Sequence, residues 1–130
     1  MNRLHFWLTA KTQYNLNSPF LFRLYNEVLF ARVAANVPHP DSTPYEKLVY
    51  KFSDHFQLRT LSANEEETLL EGTPRFGRVL ILNKPHANKK QEERLEKLTA
   101  DPRYKVALDL YHSAVFLTRP GIARQSYRLK

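Results

Sequence analysis

The sequence predicts an α/β domain of reduced, α+β-like character, with N-terminal helices packed on a small mixed sheet. Three observations lead there. The run Arg78-Val79-Leu80-Ile81-Leu82-Asn83 is almost continuously apolar, as in a strand covered on both faces of a mainly parallel sheet. A charged helix follows, opened by Asn88 with Gln91 three residues on as a capping box, and stopped by Asp101-Pro102 because a residue before proline is pushed out of the helical region. Tyr104, Val106, Leu108 and Leu110 then alternate with Lys105, Ala107 and Asp109, the period of a strand with one buried face.

The other elements follow in chain order. Leu4, Trp7 and Leu8 sit at helical spacing and predict a short amphipathic helix. Ser18 caps a second helix, with Pro19 in its first turn and Phe20, Leu21, Leu24, Tyr25, Val28 and Leu29 as its apolar face. After the proline-punctuated connection Val37-Pro38-His39-Pro40-Asp41, Thr43, Pro44 and Glu46 form a complete helix start, and Tyr45, Leu48, Val49, Phe52 and Phe56 follow along one face. Residues 58–61 read as a short strand. Ser62 and Glu65 read as a further capping box, so a short acidic helix is expected next, with Glu65, Glu66 and Glu67 in its first turn and Gly72 closing it. Residues 114–118 and 125–129 supply two more strands, separated by Pro120-Gly121. The whole of 1–130 reads as one domain, made of a helical hairpin over 1–36, an amphipathic helix over 43–57 and a reduced α/β sheet region over 58–130.

Composition narrows the function classes. With 42% apolar residues the chain carries enough to fold around a core. It has no cysteine, which removes disulfides and thiolate metal sites. No apolar stretch approaches the ~20 residues that span a bilayer, and no signal peptide is evident, so the expectation is a cytoplasmic protein without a membrane span. The net charge of +7 is uneven: +3 over residues 1–36, −4 over 37–71 and +8 over 72–130. Such a basic C-terminal half faces either solvent or an acidic partner such as RNA or DNA.

The order of apolar strand, Asn83-Lys84-Pro85-His86-Ala87-Asn88, charged helix, Asp101-Pro102-Arg103-Tyr104-Lys105-Val106 and Ala114-Val115-Phe116-Leu117-Thr118-Arg119 resembles the C-terminal part of class I S-adenosylmethionine-dependent methyltransferases of a type common in Bacteroidetes. Asn17-Ser18-Pro19-Phe20 is similar to the His-Ser-Pro-Phe motif of that family's N-terminal helical hairpin, with Asn in place of His. Residues 45–52 resemble the helix before the family's first strand. The resemblance covers both ends of the chain and omits the middle. It implies a sheet derived from a Rossmann-like methyltransferase, with the first strand near Leu61.

That resemblance requires an acidic residue and a glycine turn beside Leu61, where the chain has Ser62-Ala63-Asn64-Glu65 instead. Only 17 residues separate Leu61 from Val79, too few for the missing strand–helix units, since one parallel crossover needs about ten or more. The three glycines, Gly72, Gly77 and Gly121, are not spaced to cradle a phosphate or a methionine tail. The five histidines are scattered without metal-ligand spacing. The family's acidic pair after its fifth strand is replaced by Asn83 and Lys84, while His86 is kept. The reading therefore assigns no catalytic residue, no cofactor and no metal. It expects a non-catalytic methyltransferase-like interaction or scaffold module, a pseudoenzyme subunit that meets a protein partner or a second copy of itself through an exposed sheet edge at residues 79–82. The alternatives are a basic RNA- or DNA-binding domain, in which Lys89, Lys90, Arg94, Arg124 and Arg128 share one face with His86 nearby, and a methyltransferase completed by oligomerisation.

Overall fold

Helix α1 (Pro19–Leu24) widens into a π-helical turn, Tyr25–Leu29, which keeps Leu21, Leu24, Val28 and Leu29 pointing into one core. These come from a computed structural model that describes residues 3, 4, 6, 10, 19–29, 42–119, 121 and 124–129. The predicted Ser18 cap, the 37–41 connection, Trp7 and Leu8 lie outside the described residues. Among the described residues of the first segment Phe6 is buried and Leu4 is 68% exposed, so Leu4 does not point into the core.

Helix α2 (Pro44–Phe56) starts as its sequence requires. The Thr43 hydroxyl accepts the Glu46 N–H and the Glu46 carboxylate accepts the Thr43 N–H, which satisfies two donors that the first turn would otherwise leave unpaired. The helix ends at Gln57 in the left-handed region. Tyr45, Leu48 and Phe52 are buried on its inner face.

A six-stranded sheet follows: β1 (Arg59–Ala63), β2 (Glu67–Glu71), β3 (Arg78–Asn83), β4 (Val106–Asp109), β5 (Ser113–Leu117) and β6 (Gln125–Arg128), in the spatial order β1-β2-β3-β5-β4-β6. Helix α3 (Lys89–Ala100) joins β3 to β4. All neighbouring pairs are antiparallel except β4 with β6. The domain is therefore mixed α/β, as expected, while its sheet is mainly antiparallel rather than mainly parallel.

Three expectations are corrected by the segment between Leu61 and Val79. Residues 62–71 form no acidic helix. They belong to a hairpin, because Asn64 Oδ1 accepts the N–H groups of Glu66 and Glu67 at 2.8 and 2.9 Å and turns the chain there. Thr68 and Leu70 then point inward and are buried, which makes residues 67–71 a strand with one covered face. Gly72 closes no helix either. It donates its N–H to the Gly77 carbonyl across the β2–β3 turn, and an added Cβ would stand 2.7 Å from Leu58 Cδ2. Gly77 has φ +86°, where a side chain would be strained. The consequence for residues 79–82 is direct: β3 is not an edge but is paired on both sides, with β2 and with β5.

The sheet has helices on both faces. Val79, Ile81, Val106, Leu108, Val115 and Leu117 pack with α1 and α2, whereas Leu80, Leu82, Ala107, Ala114 and Phe116 pack with Leu98 of α3 and with Tyr104. Strand β4 is consequently buried on both faces, where alternation predicted one, and Tyr104 joins the α3 side rather than the side of Val106 and Leu108. Asn88 caps α3 as expected, through Gln91 N–H at 2.9 Å, but Gln91 does not reciprocate; its amide donates to the Asn83 carbonyl and ties the helix to the end of β3.

Two stability predictions follow. Phe52 is fully buried between α2 and the sheet, so Phe52→Ala should lower unfolding free energy by about 3–5 kcal/mol in urea denaturation; a loss under about 1 kcal/mol would contradict this packing. Burial raises the pKa of the Tyr45 phenol above its ordinary value, against a lowering by its short hydrogen bond with Thr68. The native state thus favours the neutral phenol, a contribution fully present below about pH 10 and lost above it. Denaturation midpoints measured on both sides of that pH should fall less on alkalinisation for Tyr45→Phe than for the natural chain.

Candidate functional site

The buried ionisable pair of this domain is His86 with Asp109. The first lies in the turn between β3 and α3, the second ends β4, and the Nε2 to Oδ2 distance is 2.5 Å. Their side chains are 4% and 10% exposed. Asp109 also accepts the Tyr111 N–H at 2.9 Å through Oδ1, so both carboxylate oxygens are used. Tyr111 stacks on the imidazole with ring centroids 5.3 Å apart, Phe6 meets both rings edge-on, and the Arg3 guanidinium lies over the Tyr111 ring. The neighbouring turns are also joined by Lys84 N–H to the His112 carbonyl, with Lys84 and Tyr111 both at positive φ.

A carboxylate that orients an imidazole is the arrangement of many general bases. Here the second ring nitrogen is itself buried, without a hydrogen bond and 3.6 Å from Glu92 Oε2. Among the described residues no hydroxyl is bonded to it. The arrangement clamps the β3–α3 turn onto the end of β4, which places the His86 side chain inside this contact and 4% exposed. The signal in the sequence was slight: Asp109 is the one charged residue in Val106-Ala107-Leu108-Asp109-Leu110, and a charge pointing into a covered face needs a partner.

The basic residues do not gather on one face. Lys90 and Arg94 lie on the flank of α3 that faces β2, where they pair with Glu66 and Glu67 at 3.4 and 3.3 Å. Arg124 and Arg128 are on the opposite flank: the first donates to the Thr99 carbonyl, and the second lines a cavity of about 510 Å³ with Glu92, Glu96 and Asp109. Lys89 is exposed in the first turn of α3. Acidic residues stand beside the cations on both flanks.

An open cleft of about 750 Å³ lies at the carboxyl end of β3, between the starts of α2 and α3 and the β1–β2 turn. This is where open α/β sheets hold ligands. Several polar groups lining it are already bonded: Asn64 holds the β1–β2 turn, Asn83 donates to the Glu65 carbonyl, and Lys90 reaches Glu66. Among the described residues no three His, Asp or Glu side chains come together in a set that holds a metal, and no helix is long and apolar enough to cross a membrane.

The outer strand β1 stands apart from these internally bonded regions. All five of its residues are exposed, and Leu61, 40% exposed, is one of two large apolar side chains given to solvent among the described residues, the other being Leu4. Its inner side pairs with β2 through a bulge between Thr60 and Ser62. Arg59 holds Glu71 at 2.5 Å, and the hydrogen bond from that guanidinium lowers the Glu71 pKa from its usual value.

No protein-family model, curated protein or solved structure matches the chain. The functional reading therefore stands on the fold and on these residues.

The clamp carries its own prediction. Asp109→Ala leaves the His86 Nε2–H buried without an acceptor and should destabilise the fold by about 1–3 kcal/mol. Adding His86→Leu, which removes the orphaned donor, should recover part of that loss in thermal and urea melts. No recovery in the double variant would mean that the pair does not act as a unit.

Proposed function

We propose that this chain is a non-catalytic, methyltransferase-like interaction module, one subunit of a larger assembly, which joins its partner by pairing a strand with β1. The observation that carries the reading is the outer strand, exposed at all five residues, beside a cleft in which Asn64, Asn83 and Lys90 are already bonded to neighbouring groups. A free strand edge presents backbone donors and acceptors in a row, and strand addition uses them.

The relationship to methyltransferases has support in connectivity. Strands β3 and β4 both run antiparallel to β5, so they are parallel to each other, and α3 joins them across one intervening strand. This strand–helix–strand crossover is the repeating unit of doubly wound sheets. On the other side of β3 lies a two-strand antiparallel meander, where this reading expects the cofactor-carrying strands of a complete methyltransferase.

Two experiments test the reading. Titration calorimetry with about 100 μM S-adenosylmethionine should give no saturable heat and no rise in Tm, whereas a ligand at a hundred times its Kd would stabilise by about 2.7 kcal/mol. For the edge, the tagged natural chain and Ala63→Pro should be compared by size-exclusion of extracts from the native cells. The natural chain should elute well above its 15.3 kDa mass and the variant close to it. Saturable cofactor binding would restore the enzyme reading, and identical elution of the two chains would remove β1 as the contact.

A further inference from the structure

We infer that the strand which pairs with β1 is β1 of a second copy of this chain, antiparallel to the first about a two-fold axis between Leu61 and Ser62. This rests on the edge reading above and names the partner.

The backbone decides which groups are offered. Asn83 N–H bonds the Glu66 carbonyl. Antiparallel ladders alternate bonded and non-bonded pairs, so Thr68 with Ile81 and Leu70 with Val79 are the next bonded pairs between β2 and β3. Thr68 and Leu70 thus spend their backbone groups on β3. Their partners on the other side, Ala63 and Thr60, turn their own N–H and C=O groups outward. The bulge separates these two outward residues by three positions instead of two. A regular strand laid on this edge would meet only one of them in register, whereas a second copy carries the same three-residue spacing and meets both, Thr60 opposite Ala63 in each half.

The ends of the strand are complementary in charge. Arg59 precedes the edge, with its side chain 76% exposed, and Asn64, Glu65 and Glu66 follow it in an exposed turn. Antiparallel self-pairing carries each Arg59 to the turn of the other copy, opposite Asn64 and one position from Glu65, within the reach of a long side chain. Parallel stacking would bring like charges together instead. Leu61, exposed in the single chain, is laid beside the corresponding residues of its copy. The contact is isologous, so it consumes the β1 edge and closes at two chains. Five residues a side form a small interface, which places the dimer among weak, concentration-dependent associations.

Sedimentation of the purified full chain from about 5 to about 500 μM tests the inference. The natural chain should pass from 15.3 kDa toward twice that mass. Arg59→Glu alone and Glu65→Arg alone each set like charges against each other across the axis, and each should remain monomeric over the same range. An equimolar mixture of the two single variants should associate again, because a mixed pair has an opposite-charge contact at both ends. That recovery also excludes misfolding as the cause of the single-variant losses. A natural chain that stays monomeric throughout, a dimer unchanged by both substitutions, or a mixture that fails to associate would each overturn it. If the natural chain is monomeric when pure while Ala63→Pro still breaks the assembly in cell extracts, the second copy is ruled out and the edge reading survives.

Discussion

The structure depends on β3 being paired on both sides and covered on both faces. Val79, Leu80, Ile81 and Leu82 are each at most 4% exposed. Such a strand is tolerable only if one apolar layer lies on each side of it, and the chain builds both: α1 and α2 against Val79 and Ile81, α3 against Leu80 and Leu82. Its backbone must also be satisfied along both edges. The β2 hairpin on one side and β5 on the other do this. Everything else is placed by that arrangement, including the distance of β1 from the core.

The His86–Asp109 pair has its meaning inside this frame. The crossover from β3 to β4 must leave the end of β3 and return one strand beyond its antiparallel neighbour. The turn that starts it is held by Lys84 to His112, by Gln91 to Asn83 and by His86 to Asp109. A buried polar contact of this sort contributes little as a net free energy but penalises every alternative in which one partner is left unpaired. The imidazole thus holds the geometry of this turn.

Much of the fold was legible where local signals agreed with each other. Thr43, Pro44 and Glu46 specify a helix start without competition, and α2 begins there. The run at residues 78–83 is a strand, and the Asp101-Pro102 stop ends α3 as expected. The errors between Leu61 and Val79 share one cause, which is that Ser62 and Glu65 have the spacing of a capping box while Asn64 supplies a turn that the same residues also permit. Capping chemistry and turn chemistry use the same side chains. What decides between them is whether Thr68 and Leu70 find a strand to pair with, a non-local matter. Misreading that segment made β3 look like an edge and hid β2, while the strand expected at residues 58–61 is present as β1. The His86–Asp109 clamp was illegible for a similar reason, since its members lie 23 positions apart and nothing in their spacing links them.

Native-state hydrogen exchange on a dilute, isotopically labelled sample tests the central claim most directly, because it reads the pairing of each strand one amide at a time. The amides of Val79, Leu80, Ile81 and Leu82 should all be strongly protected, the alternate ones by β2 and by β5, while those of Thr60 and Ala63 exchange far faster than their neighbours Arg59 and Ser62. Rapid exchange at every second amide of β3, or protection at Thr60 and Ala63 in the dilute chain, would contradict a sheet whose apolar strand is interior and whose open edge is β1.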